Sequence, residues 1–346
     1  MLWNDIYIDA AATRLGRLED VRQAAAEGRY DPAECEADDL VSVSVVDDAS
    51  QADMAVEAAG LAVSRSRAAH EDYTLVAHVS SGTFHGLDHW APASYIQART
   101  VGGKASAIQL QQASNGGLGA LDLVAAHLAA RPAPAAALIT TSDKYQLPMF
   151  DRYRSDKGAP RGDGATAVVL RRGEGIVRLV STVVISDTAF EGMYRGTAQW
   201  EEVAGEQGWP INMRKRLKEF LIAGDVQVAD IAQALAGGQQ ASMLAAMGEA
   251  GVDIKDVARF IYPHSGATQV DWETVKAVAG VDVGQTNWEL GRRLGHLGAG
   301  DQFAALADML ENKLVGPGDL VVMSALGHGF NFGAAVLEIV AEPQWS

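Results

Sequence analysis

The sequence predicts an α/β protein made of two copies of one unit, residues 1–172 and 173–346. Three observations predict it. Short apolar runs of strand length alternate with amphipathic helix signals along the chain, which implies mainly parallel sheets with helices on their faces. The order helix, strand, small-residue loop occurs in both halves. The composition, 48% hydrophobic and 21% charged over 346 residues, is that of an ordinary globular chain, long enough to bury a substantial core.

In the first half, Ala52 to Ala59 is apolar at positions three and four apart, a helix signal. The apolar run Tyr73–Val79 follows as a strand, then the small-residue loop Ser80-Ser81-Gly82. Ser114-Asn115-Gly116-Gly117 opens a helix from about Leu118 to Ala130. A strand at Ala136–Thr140 and the hairpin-like Gly162–Leu170 come next. In the second half, Met243–Gly248 is the helix, Asp256–Tyr262 the strand and Pro263-His264-Ser265-Gly266 the loop. His296-Leu297-Gly298-Ala299-Gly300 opens a helix over Asp301–Asn312. The turn Gly316-Pro317-Gly318-Asp319 leads into the strand Leu320–Met323, followed by Gly327–Leu337. The segment Asp187–Gln227, aromatic and mixed in charge with Phe190, Met193, Tyr194, Trp200, Trp209 and Phe220, breaks the pattern. It reads as an insertion that covers a pocket or contacts a partner.

The formal charge of −16 opposes any general affinity for nucleic acid or an anionic membrane. No apolar run is long enough to span a bilayer, and no signal-type segment stands at the start. The single cysteine, Cys35, lies among carboxylates that make it a poor nucleophile. These features predict a cytoplasmic protein. His78, His85 and His89 have the wrong spacing for one helix face, so no metal site is expected. Two basic clusters, Arg214-Lys215-Arg216-Leu217-Lys218 and Arg152, Arg154, Lys157 and Arg161, are solvated surface or docking sites for phosphate or an acidic carrier protein.

The candidate chemistry sits where loops meet helix starts. Ser114 lies between a strand and a helix, where free N–H groups and the helix dipole stabilise developing negative charge. The glycines after it allow another backbone or a substrate to come close. The same serine could simply cap its helix. His296 holds the equivalent place in the second half, so a pseudo-twofold would bring the two helix starts to one centre. A serine hydroxyl needs an adjacent base to attack a thioester; His296 is the candidate, with Asp301 one turn on as its orienter or as a mere helix cap. His264 is a second acid/base, a hydrogen-bond donor to a substrate carbonyl, or a buried structural histidine.

These residues resemble the β-ketoacyl-acyl-carrier-protein synthase III group of the thiolase superfamily. The likeness runs over essentially the whole chain. It rests on Gln112-Ala113-Ser114-Asn115-Gly116-Gly117, Gly162-Asp163-Gly164-Ala165, Pro263-His264, Gly295 to Asp301, and Gly327-His328-Gly329-Phe330. The resemblance implies a thiolase-like, duplicated five-layered αβαβα fold, a homodimer, and acyl transfer from coenzyme A or carrier protein, with no permanently bound cofactor. This chain departs from the family pattern at three places. Ser114 stands for the nucleophilic cysteine, His296 for an asparagine, and His328 for a turn glycine, while His264 matches the family's active-site histidine.

The departures favour a Ser114–His296–Asp301 relay over enolate stabilisation. The resemblance is nearest to acyltransferase-like members of actinobacterial secondary metabolism. It implies an acyl-Ser114 intermediate, an oxyanion hole from the backbone N–H groups of Ser114 and His328, and transfer to a hydroxyl, amine or carrier acceptor. Two other readings stand beside it: a priming ketosynthase that condenses with malonyl-carrier protein, and a non-catalytic partner subunit of a synthase.

Overall fold

The computed structural model describes residues 1–82, 87, 89–197, 208–224 and 226–345. The first half runs β1 (Ile6–Leu15), β2 (Arg17–Asp20), α1 (Val21–Ala26), α2 (Pro32–Asp38), β3 (Ser42–Val45), α3 (Gln51–Arg65), β4 (Tyr73–Val79), α4 (Pro92–Arg99), β5 (Ser106–Leu110), α5 (Gly116–Ala129), β6 (Ala136–Asp143) and β7 (Gly164–Arg172). The second runs β8 (Val177–Ser186), α6 (Gly192–Arg195), α7 (Met213–Gly224), α8 (Val228–Ala250), β9 (Val257–Ile261), α9 (Trp272–Ala279), α10 (Trp288–Leu294), α11 (Asp301–Glu311), β10 (Leu320–Gly327) and β11 (Asn331–Ile339).

Local chemistry explains the helix limits. Ser50 caps α3 by accepting from the Asp53 N–H at 3.1 Å, and Met54, Ala55, Ala58, Ala59 and Ala62 form its buried stripe. Asp31 caps α2, with Pro32 in the first turn. Gly251, at φ 66°, closes α8 in the left-handed conformation. The helix after Ser114 starts two residues earlier than its apolar pattern suggests, because Gly116 and Gly117 are already helical.

Nine strands form one continuous sheet in the order β5-β4-β6-β7-β1-β8-β11-β10-β9. The expectation of mainly parallel sheets is corrected. Only β5, β4 and β6 at one end and β10 and β9 at the other pair in parallel. The middle pairs, β6–β7, β7–β1, β1–β8, β8–β11 and β11–β10, are antiparallel. No helix separates β6 from β7 or β10 from β11, and strands joined without a crossover return antiparallel. The join between halves is narrow, with Tyr7 opposite Arg178 and Ile8 opposite Val177. β1 does not stand out in the sequence, because it holds the run Ala10-Ala11-Ala12, of low strand propensity; β8, with the β-branched run Thr182-Val183-Val184-Ile185, was missed by the sequence reading despite its pattern.

Alternate residues of each strand face different helices, which produces five layers. Val76 and Leu138 pack with α3 on one outer face, while Leu75, Ala77 and Ile139 face inward. Val322 packs with Met243, Ala246 and Met247 of α8 on the opposite outer face, while Val321 and Met323 face inward. The central layer is α5 and α11, through Leu118, Leu121, Leu128, Phe303, Leu306 and Leu310. Leu121 and Phe303 are wholly buried.

The segment between β8 and α8 covers the C-terminal hairpin. Met193 and Tyr194 of α6, Leu217 and Phe220 of α7, and Phe190 pack on Phe330 and Phe332. Trp200 lies outside the described residues. No single described helix is long and apolar enough to cross a membrane.

The close approach of α5 to the second half leaves no room at Gly117. A Cβ there would lie 2.6 Å from the Ala299 carbonyl oxygen. Gly117→Ala is expected to destabilise the protein by about 1–3 kcal/mol, read from the urea midpoint. Gly60, in the exposed middle of α3, has open space around it, so Gly60→Ala should stabilise by about 0.5–1 kcal/mol.

Candidate active site

Ser114 lies in a single 3₁₀ turn, Ala113–Asn115, that runs directly into α5. Ala113, just before it, sits at φ 49°, a left-handed conformation costly for a residue with a Cβ. The turn is braced from several sides. Asn115 Nδ2 donates to Gln112 Oε1 at 2.7 Å, and Gln112 Nε2 donates to Asn331 Oδ1 at 3.1 Å. A Cβ on Gly327 would lie 2.3 Å from the Gln112 carbonyl oxygen. The C-terminal hairpin therefore abuts the Ser114 turn backbone to backbone.

The second half supplies the facing groups. Ser114 Oγ and His296 Nε2 are 2.7 Å apart, and His296 Nδ1 and Asp301 Oδ2 are 2.6 Å apart. Asp301 is the first residue of α11 and wholly buried. Its side chain does not cap α11. It accepts from the Leu297 N–H at 2.7 Å and the His264 N–H at 2.8 Å. Burial pushes the Asp301 carboxyl up from its ordinary range; the His264 imidazole and these two N–H groups oppose that shift. The His296 peptide is clasped as well: its N–H donates to the Pro160 carbonyl at 2.9 Å and its carbonyl accepts from the Gly162 N–H at 3.0 Å.

His264 joins the same group. Its Nδ1 lies 3.1 Å from the Gly295 carbonyl oxygen and 3.3 Å from Asp301 Oδ1. Its Nε2 is buried with no hydrogen-bond partner among the described residues. His328 forms the turn after β10 and stacks on Tyr194 at 4.7 Å, with 29° between the rings. The residue is exposed to solvent. Loss of water to the protein atoms packed around it, then the charge of Arg161, pushes the imidazole down to about 4. Solvent access limits the size of this shift and leaves its direction intact.

Two residues of the site were missed by the sequence reading. Asp143, at the end of β6, ties the halves together. It accepts from Ser80 Oγ at 2.9 Å, the Ser81 N–H at 2.9 Å, the Gly82 N–H at 3.2 Å and the Ala299 N–H at 3.1 Å. A carboxylate at the carboxyl end of a parallel strand was the available signal. Arg161 was grouped with a basic surface cluster, but it is buried and paired to Asp156. Arg152 likewise pairs with buried Asp163, and Arg214 makes a two-pronged pair with Glu34 at 2.6 and 2.8 Å. Three of these eight cations are therefore held in buried or half-buried ion pairs, because the segments carrying them fold against acidic neighbours.

Cys35 is buried, and burial is the main cause that raises its thiol pKa. His78 is enclosed in β4 with Nδ1 at 2.8 Å from Thr140 Oγ1, and His85 lies outside the described residues. Among the described residues no three His, Cys, Asp or Glu side chains are placed to share a metal ion.

Residues 247–339 match the family of 3-oxoacyl-[acyl-carrier-protein] synthase III C-terminal regions. Among solved structures, ChlB3, an acyltransferase, superposes with a TM-score of 0.89 at 33% identity, covering 99% of this chain and 100% of that one. The chain belongs to the synthase III-like group of the thiolase superfamily. Two more distant structures share its fold. The 3-oxoacyl-(acyl carrier protein) synthase III, FabH, of Pseudomonas aeruginosa PAO1 gives a TM-score of 0.77 at 18% identity, covering 98% of this chain and 99% of that one. A variant of Xanthomonas campestris OleA with bound lauric acid and lauroyl-CoA gives 0.75 at 16% identity, covering 97% of this chain and 100% of that one. No curated protein sequence matches significantly.

Asp143 serves four donors from two halves of this synthase III-like fold. Asp143→Ala strands buried N–H groups, so a loss of more than about 2 kcal/mol is expected in denaturant unfolding.

Proposed function

We propose that the protein is an acyltransferase that carries its acyl group on Ser114. The observation that carries this reading is the unbroken series Ser114 Oγ, His296 Nε2, His296 Nδ1, Asp301 Oδ2 at 2.7 and 2.6 Å. With Asp301 accepting from Nδ1–H, His296 holds its Nε2 lone pair toward the serine. Ser114 Oγ attacks the thioester carbonyl of an acyl-coenzyme A or acyl-carrier protein, and Nε2 takes its proton. The backbone N–H groups of Ser114 and His328 bind the oxyanion, each worth about 3 kcal/mol of barrier. The carbon–sulfur bond breaks, the thiolate takes the proton back from His296, and acyl-Ser114 remains. A hydroxyl, amine or carrier acceptor then gives its proton to His296 and attacks the ester, which frees Ser114. His264 is the second acid/base.

The identity with the acyltransferase ChlB3 supports transfer over condensation. We place the reaction in polyketide or other secondary-metabolite biosynthesis, in the cytoplasm, in a homodimer with no permanent cofactor. The edge strand β5, whose outer side has no neighbour in the sheet, supports a second copy. One observation favours a second reading. The unpartnered His264 Nε2 could, with His296, hold the carboxylate of a malonyl group, as in a priming ketosynthase. Carbon dioxide released from malonyl-carrier protein would identify that reaction.

Intact-protein mass after incubation with acyl-coenzyme A and acyl-carrier donors tests the proposal. An acyl adduct on the wild type and none on Ser114→Ala is expected; equal adducts on both would refute an acyl-serine. Asp301→Asn should slow acylation by roughly 10³–10⁴-fold, because it no longer holds the required tautomer. Acylation should also fall on acidification. Protonated His296 cannot accept the serine proton, and a protonated Asp301 cannot orient it. His328, pushed down toward its neutral form, is not the group whose protonation sets this limb. The acid limb should therefore survive in His328→Gln when initial acylation rates are followed against pH.

A further inference from the structure

Arg161 carries a charge that the acyl-transfer chemistry does not use. Its neighbouring peptides clasp His296, but its side chain takes no part in that clasp. The side chain is only 8% exposed. Its one hydrogen bond among the described residues is from Nη2 to Asp156 Oδ2 at 2.5 Å. Its Nε is buried without a partner among those residues. A guanidinium has five N–H donors, and burying one this far from satisfied is costly unless something else completes it. The plane of the group is held by the rings of Tyr145 and Phe150, whose centroids lie 5.6 and 5.8 Å from it.

What surrounds the charge is also suited to an anion. Tyr194, His328 and Asp301 are close enough to exchange electrostatic influence with Arg161. Burial raises the Tyr194 phenol, so it stays protonated as a donor. The His328 imidazole, pushed down toward its neutral form, stacks on the Tyr194 ring, and the residue is exposed.

We propose that Arg161, with Tyr194 and His328, forms an anion subsite beside Ser114 and His296 that takes a carboxylate of the substrate. The proposal rests on the acyl-transfer reading of the same cleft. A planar guanidinium fork matches a carboxylate in geometry as well as in charge. Asp156 balances Arg161 while the subsite is empty. The carboxylate has two sources: the far end of a dicarboxylic acyl group, or the acceptor.

Binding to Ser114→Ala, which cannot be acylated, separates this inference from the acyl-serine mechanism. In the donor arm, malonyl- and succinyl-pantetheine are compared with propionyl- and butyryl-pantetheine by calorimetry. In the acceptor arm, a hydroxy acid is compared with its methyl ester. A preference of at least about tenfold for the carboxylate is expected in one arm, and that arm names the source. Adding Arg161→Gln should bring the ratio close to one, and Arg161→Lys should leave part of it. Asp156→Asn, which frees the cation, should raise the ratio, so the proposal stays testable even if Arg161→Gln does not fold. Equal binding in both arms, or a preference that survives Arg161→Gln, overturns the subsite. Failure of the wild type to form any acyl adduct would instead remove the acyl-serine mechanism.

Discussion

The site depends on how closely two helix starts can approach. The turn that begins α5 and the loop that begins α11 meet closely, with Gly117 against the Ala299 carbonyl. A side chain at that glycine would hold the halves apart. With hydrogen alone there, Ser114 of one half comes within 2.7 Å of His296 of the other. Both helix starts then direct their partial positive charge toward the same small volume. The wholly buried central layer of α5 and α11 fixes that approach, so the geometry rests on the core of the protein and not on mobile surface loops.

Close packing of loop backbones creates a second demand, since each buried N–H needs an acceptor. The structure meets it with buried carboxylates. Asp143 accepts from loops of both halves, and Asp301 accepts from the peptides of Leu297 and His264. Asp163 accepts from the N–H groups of Val46 and Tyr145 and pairs with Arg152. Each carboxylate joins segments distant in sequence. Asp301 has a double task, because the oxygen that accepts from the His264 peptide is also the one beside His296 Nδ1. The position of the imidazole and the folding of its loop are thus set by the same group.

Much of the site could be read from local chemistry. Ser114 and His296 each stand at a small-residue loop opening a helix, and Asp301 lies one turn further on. His264 ends a strand, and His328 interrupts a glycine-rich turn. These signals lie within a few residues of each side chain. Asp143 and Arg161 could not be read that way. Asp143 lies at the end of an apolar strand and gains its meaning from Ala299, 156 positions away. Arg161 looked like one member of a basic surface cluster, and only folding turned it inward between Tyr145 and Phe150. The mixed sheet was missed for a related reason: pairing direction depends on which strands become neighbours, and β1, with its alanine run, carries little pattern of its own.

The sequence by itself determined the alternation of strands and helices, its repetition in two halves, the helix limits set by caps and glycines, and the reactive residue types at loop positions. Those are short-range properties, governed by hydrophobic period, capping and backbone freedom over one or two turns. Only the tertiary structure decided that Ser114 and His296 share a hydrogen bond, that Asp301 serves His296 and not its own helix, and that Arg161 is enclosed with a donor unpaired. Each of these is a contact between distant segments. Its energy depends on burial and on competing partners, which exist only once the sheet has closed over α5 and α11.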